Sequence, residues 1–255
     1  MMKQAETMAR TGDGGSVDPR EVAGFAAVAG RWWDPDGPFR PLHRLNPVRL
    51  GYIRGAFEAR FGLDPGADRP FEGLAVADIG CGGGLVCEPL ARLGARVTGV
   101  DAGTEAIAVA RAHAETSGID IEYLEGTAEA LARSGRRFDA VTALEIVEHV
   151  ADRAAFLAAC CRLARPGGLL VLSTLNRTPR AFALAIVGAE YLLRWVPRGS
   201  HRWTRFVRPS ELARDLRRGG ARVIDVTGVV YDPLADRWRL GRDVAVNYMV
   251  RAEVD

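Results

Sequence analysis

Hydrophobic positions along the chain follow two alternating periods. Runs with strand character at 74–79, 96–100, 121–124, 138–144 and 169–173 are separated by segments of helical spacing. The helical segments are one ending near Leu93, then 104–117, 127–134 and 151–164, the last closed by Pro166, Gly167 and Gly168. Such alternation predicts a parallel sheet with helices on both faces. The rhythm breaks at 176–208. It resumes with a helix at 209–217, with Ser210 near its start, and two closing strands at 221–230 and 244–252. The closing pair suggests an antiparallel edge hairpin. The expected architecture is therefore α/β, with a mostly parallel seven-stranded sheet.

Ahead of this region, residues 18–61 are helical in pattern and unusually aromatic. Pro35, Gly37, Pro38 and Pro41 interrupt them. Residues 19–70 read as an N-terminal helical lid. Residues 1–18 are small and polar and read as a flexible tail. No internal repeat is visible, so one domain is expected over 19–255.

Composition narrows the function classes. With 48% hydrophobic and 26% charged residues, a wholly disordered or fibrous chain is excluded. The net charge of +2 is too small for a generally basic nucleic-acid binder, and no nucleic-acid partner is expected. Cys81, Cys87, Cys160 and Cys161 form no CxxC pattern, which disfavours a zinc cage or disulfide framework and fits a reducing, cytosol-like compartment. The N-terminus has no apolar signal core, and no stretch reaches the ~18 apolar residues of a membrane span.

The segment Asp78-Ile79-Gly80-Cys81-Gly82-Gly83-Gly84 follows a predicted strand and opens a helix. Glycines there allow a ligand to approach the backbone closely. Asp101 ends the next strand about 20 residues on, where an acid can accept from ribose hydroxyls. A dinucleotide loop prefers GxGxxG/A, and its third position here is Leu85. S-adenosylmethionine (SAM) is the competing ligand. An acid two residues before GxGxG matches its typical pattern at Asp78. Gly126-Thr127-Ala128-Glu129 follows the third strand, where adenine would lie. Phe138-Asp139 opens the fourth strand, and Arg165-Pro166-Gly167-Gly168 precedes the fifth. Together these resemble the class I SAM-dependent methyltransferases with their Rossmann-like fold, over residues 74–175.

The flanks are more specific. Phe25 to Asp34, with Trp32-Trp33, leads into Phe39-Arg40-Pro41-Leu42-His43-Arg44-Leu45-Asn46-Pro47-Val48-Arg49-Leu50-Gly51-Tyr52-Ile53. With Ser173-Thr174-Leu175-Asn176-Arg177, Val187-Gly188-Ala189-Glu190-Tyr191 and Val246-Asn247-Tyr248, this resembles the ubiquinone-biosynthesis O-methyltransferases, the UbiG family, over nearly everything after residue 20. The resemblance implies methylation of hydroxyls on 2-polyprenyl-6-hydroxyphenol and on 3-demethylubiquinol, and other ubiquinone-biosynthesis enzymes as partners. It also implies that Arg49 meets the SAM carboxylate, for which a guanidinium fork is suited. Asp78, Gly80 and Gly82 would form the cofactor loop and Asp101 the ribose contact. Thr127, Ala128 and Leu144 would lie beside the adenosine. Trp32 and Trp33 either staple the N-terminal helices to the core or cover the cofactor.

Methyl transfer to a phenol needs in-line alignment and removal of a proton whose pKa is ~10. Glu145, Glu148 and His149 follow the fourth strand and would share one face if helical. Two roles stay open for them as the catalytic group. They would ligate a divalent metal, Mg²⁺ or another, which acidifies the acceptor. Otherwise His149 is a metal-free general base, with the two acids complementing a helix N-terminus.

The break at 176–208 holds seven arginines against one acid, Glu190. Its apolar stretch 181–193 would make a helix of ~20 Å, short of the ~30 Å hydrocarbon core. It is expected to lie on an anionic membrane surface, to cover the substrate, or both. A cytoplasmic protein held peripherally at the inner membrane would result. The rival functions are a methyltransferase for another hydrophobic small molecule, a weakly catalytic lipid-binding scaffold, and a nicotinamide-dependent oxidoreductase, which Leu85 disfavours.

Overall fold

The computed structural model describes residues 15–184, 203–233 and 235–255. Five parallel strands run in the order β3-β2-β1-β4-β5: β1 (Ala75–Ile79), β2 (Arg96–Asp101), β3 (Glu122–Glu125), β4 (Phe138–Leu144) and β5 (Ala164–Leu175). β6 (Ala221–Asp232), β7 (Arg237–Gly241) and β8 (Asn247–Val254) extend the sheet past β5 in the order β8-β6-β7, all antiparallel. Among the described residues the sheet thus has eight strands rather than seven. The extra strand, β7, escapes the hydrophobic pattern because it is a short edge strand with Arg237 and Arg239 among its five residues. The two closing strands do pair antiparallel, but β7 intervenes between them in the chain.

Strand alternation divides the core into two layers. Ala77 and Ile79 of β1 face one layer with Tyr248 and Val250 of β8; Val76 and Met249 face the other. The first layer is covered by α5 (Ala128–Arg133), α6 (Arg153–Leu163) and α8 (Pro209–Arg218). The second is covered by α2 (Arg40–Phe61), α3 (Cys87–Arg92) and α4 (Thr104–Thr116). α2 starts with Pro41 in its first turn and ends on Gly62, whose φ of 64° is the left-handed cap conformation. Its buried stripe is Leu45, Arg49, Ile53, Ala56 and Phe57. Arg49 therefore lies among apolar residues on the inward face, where a charge needs a partner.

Two segments depart from expectation. Residues 15–18, within the expected tail, are seated: Ser16 is buried, its carbonyl accepts from Ala151 N at 2.6 Å, and Asp18 caps α1 (Pro19–Ala26). β5 begins earlier than its apolar run because α6 passes directly into it. The register with β4 shifts between Phe138 and Ala140, and Gly167 takes a φ of 71° at that irregularity. Of the 176–208 break, residues 185–202 lie outside the described residues, and with them Val187–Tyr191 and most of the apolar stretch. Its described parts include a short turn, α7 (Pro179–Ala181), and the turn Trp203–Arg205.

Candidate active site

The strand order reverses between β1 and β4, and the loops leaving their C-terminal ends form the place where open α/β sheets bind ligands. The loop after β1 is held from below: Gly80 N and Cys81 N donate to Val100 O at 2.8 and 3.1 Å. Gly82 has a φ of 53° and donates to Asp101 Oδ2 at 2.9 Å, while Gly103 N donates to Oδ1 at 2.8 Å. Each carboxylate oxygen of Asp101 keeps further lone-pair capacity for a ribose hydroxyl. An open cavity of about 660 Å³ lies between α1 and the start of α4, lined on one side by Ala102 and Glu105.

Asp78, ahead of the glycines, is buried at the end of β1. It accepts from Thr142 Oγ1 at 2.6 Å and from Cys87 Sγ at 3.3 Å. Burial pushes its carboxyl up to about 6, against those two hydrogen bonds. Thr127 caps α5, its hydroxyl oxygen accepting from Ala130 N at 3.1 Å, and Ala128 and Leu144 are buried.

Glu145 follows β4 directly, with a φ of 53°, a strained conformation for a residue with a side chain. Four groups hold it there. Its N–H donates to Ser173 O at 3.0 Å. Its Oε1 accepts from Ser173 Oγ at 2.8 Å and Asn247 Nδ2 at 3.1 Å, and lies 3.2 Å from Arg49 Nη2. Burial would raise the Glu145 pKa; Arg49, Ser173 and Asn247 outweigh it and hold the group below the usual carboxylate range. The reversed backbone turns 147–149 into a tight turn, closed by His149 N to Ile146 O at 2.9 Å, rather than a helix.

The shared helical face expected of Glu145, Glu148 and His149 therefore does not form. Glu148 Oε2 accepts from Thr174 Oγ1 at 2.6 Å, and His149 Nδ1 lies 3.0 Å from Glu21 Oε2 of α1. Burial pushes Glu148 up to about 7, helped by the charge of Glu145. Burial lowers the His149 pKa, but the Glu21 hydrogen bond and the surrounding carboxylates outweigh it and leave it raised.

Matches with known proteins identify the family. Residues 77–172 match the model of a methyltransferase domain family. The chain is 55% identical over 238 residues to the ubiquinone biosynthesis O-methyltransferase of Brucella anthropi, covering 93% of this chain and 96% of that one. It is 57% identical over 240 residues to the protein of the same name from Methylobacterium sp. (strain 4-46), covering 94% and 96%. This chain belongs to the ubiquinone biosynthesis O-methyltransferase family. Solved structures support the fold alone. One is magnesium protoporphyrin IX methyltransferase from Synechocystis PCC 6803 with bound SAH, at 20% identity, TM-score 0.56 and coverage of 82% and 85%. Another is a SAM-dependent methyltransferase from Clostridium acetobutylicum, at 13% identity, TM-score 0.59 and coverage of 91% and 98%.

SAM, the methyl donor of a class I methyltransferase, fits the residues present. Arg49 is 4% exposed, and its Nε and Nη2 make no hydrogen bond. A buried guanidinium with free donors suits a carboxylate. Asp101, at the end of β2, offers carboxylate oxygens that would suit a ribose hydroxyl. A divalent metal does not fit the side chains as placed. Glu145 is committed to Arg49, Glu148 to Thr174 and His149 to Glu21. Among the described residues no three His, Cys, Asp or Glu groups come together to hold an ion. The metal expectation depended on a helix that the left-handed Glu145 prevents.

Several residues that shape this region were not singled out as site residues beforehand. Ser173, Thr174 and Asn247 stand in stretches that carry the family resemblance, which was their only sequence signal. Ile146 packs on the loop, since a Cβ at Gly80 would lie 2.8 Å from its Cγ1. Glu21 had no distinguishing signal. Trp33, expected either to staple the N-terminal helices or to cover the cofactor, donates from Nε1 to Gly83 O at 2.9 Å, and its ring stacks on His113 at 3.5 Å. Arg205, beyond the undescribed segment, reaches back to Asp18 Oδ2 at 2.6 Å and to His149 O at 3.3 Å.

Proposed function

We propose that this chain transfers the methyl group of SAM to phenolic oxygens of prenylated quinone precursors, namely 2-polyprenyl-6-hydroxyphenol and 3-demethylubiquinol. The family relatives support the substrate class. The observation that carries the chemistry is the Glu21–His149 pair at the end of β4. A carboxylate accepts only, so His149 Nδ1 carries the shared proton, and once the ring is neutral, a form that its raised pKa shifts to higher pH, Nε2 keeps its lone pair.

Bound SAM supplies an electrophilic methyl on a sulfonium. Arg49 would hold its carboxylate and Asp101 its ribose. His149 Nε2 would take the phenolic proton, with Glu21 keeping the ring oriented, as in other base–orienter pairs. Glu145 and Glu148 set the local charge, and Glu145 also fixes Arg49.

We further propose that the enzyme works at an anionic membrane surface. Phe182 and Leu184 are 44% and 51% exposed, and Trp203 stands beside Phe182 with ring centroids 6.3 Å apart. These apolar groups flank the arginine-rich segment, and no described helix is long and apolar enough to cross a membrane.

The test is methyl transfer to a short-tailed 2-polyprenyl-6-hydroxyphenol, read by product mass, with and without exhaustive chelation. One added methyl on oxygen, retained after chelation, is expected. Loss on chelation would return Glu145, Glu148 and His149 to metal ligation and overturn the base assignment. No product with SAM binding intact would move the acceptor to another hydrophobic substrate.

A further inference from the structure

Trp32 is 8% exposed, and its Nε1 hydrogen finds no acceptor among the described residues. Buried donors are rarely left that way without a reason. Its neighbour Trp33 is satisfied by Gly83 O, so acceptors are within reach of this segment. The Trp32 ring spans the cofactor loop. A Cβ at Gly82 would lie 2.0 Å from Cζ2 and 2.8 Å from Cε2, and one at Gly83 would lie 2.3 Å from Cγ. Phe39 stacks against the ring at 3.9 Å and holds it there.

The six-membered ring therefore lies over Gly82 and the five-membered ring over Gly83, so Nε1, bonded to Cε2 and Cδ1, sits along the loop between them, beside the residue whose N–H Asp101 grips at 2.9 Å. Asp101, when ionised, can only accept. Ribose hydroxyls that donate to it keep lone pairs in need of a donor. The carboxylate end of SAM already has Arg49. The local chemistry thus lacks one donor on the ribose side, and Trp32 carries one unused.

We infer that Trp32 is a cofactor-binding residue whose indole Nε1–H donates to a ribose oxygen of SAM, while its ring seals the glycine loop. This rests on SAM being the ligand of that loop. The same loop backbone that must be bare for SAM must also be bare for Trp32, which gives Gly82 and Gly83 a second reason to lack side chains.

The test is calorimetric affinity for S-adenosylhomocysteine and for 5′-methylthioadenosine, which keeps the nucleoside and lacks the amino-acid part. Trp32→Phe should weaken both by about three- to tenfold, the effect of removing one hydrogen bond. Arg49→Met should weaken only S-adenosylhomocysteine. Unchanged affinities in Trp32→Phe would overturn the proposal, and weakening of S-adenosylhomocysteine alone would overturn the ribose assignment. Replacing Trp32 with 3-benzothienylalanine, which keeps the bicyclic ring without the N–H, repeats the comparison should Trp32→Phe fold poorly. Failure of the unaltered protein to bind S-adenosylhomocysteine would instead remove the cofactor reading itself.

Discussion

Arg49 and Glu145 face each other across the site at 3.2 Å, Arg49 buried in the middle of α2 and Glu145 half-buried in the left-handed conformation just after β4. Neither charge is tolerable without the other, and the guanidinium still has donors to spare. The pair therefore links stability to cofactor capture. Arg49→Met should strip Glu145 of its counter-charge and lower stability by ~3–5 kcal/mol. Adding Glu145→Gln should recover part of that loss, because the uncompensated carboxylate is gone. Denaturant unfolding of both single variants and the double variant checks this. Additive losses would show that the two charges do not interact.

His149 presents Nε2 because Nδ1 is committed to Glu21. His149→Gln should lower kcat by about 10²–10⁴-fold, the usual worth of a positioned base, with S-adenosylhomocysteine affinity unchanged. Glu21→Ala should give a smaller loss of the same kind. Steady-state rates with calorimetry on the same samples separate this from a cofactor defect. A Glu21→Ala enzyme with full kcat would remove Glu21 from the mechanism.

How far the site was legible in advance depended on whether the signal was local. The glycine loop, Asp101 and the parallel order follow from spacing along adjacent elements, and each lies where the pattern puts it. Arg49 was readable through the stretch around it, and its burial explains why a charge sits on the apolar stripe between Leu45 and Ile53. The placement of Glu148 and His149 was not readable, because one backbone angle at Glu145 decides it. That angle is set by Ser173 and Asn247, 28 and 102 residues away in sequence. β7 was hidden for another reason: a short edge strand needs only one apolar side and tolerates arginines on the other. The seating of residues 15–18 rests on backbone contacts to Glu129 and Ala151, which leave no mark in composition.

Phe182 and Trp203 bring exposed aromatic surface to the described parts of the arginine-rich break, where Arg180 pairs with Asp243 at 2.6 Å. Aromatic groups enter the lipid interface, and each basic residue near an anionic surface adds ~1 kcal/mol. The triple variant Arg180→Glu/Phe182→Ser/Trp203→Ser should co-sediment less with phosphatidylserine-containing vesicles, and the binding of the unaltered protein should fall as salt rises. Arg205 is left intact because it holds Asp18. Undiminished binding by the triple variant would place the lipid contact elsewhere.

Asp78 is the clearest case of a charge kept at a cost. Burial raises its carboxyl from 3.8 to about 6 in the folded chain, despite hydrogen bonds from Thr142 and Cys87. A raised folded-state value means that the folded protein binds this proton more readily than the unfolded one. The ionised side chain therefore costs stability above pH ~6, on the order of 3 kcal/mol, and the cost is relieved as pH falls from about 6 toward 4. Asp78→Asn keeps an oxygen for Thr142 and removes the charge. Its melting temperature should exceed that of the unaltered protein at pH 8, with the difference shrinking through pH 6 and vanishing near pH 4. Comparing the two proteins at each pH cancels the titration of the other carboxylates. A difference that stays constant from pH 8 to pH 5 would mean that packing, and not the buried charge, separates the two.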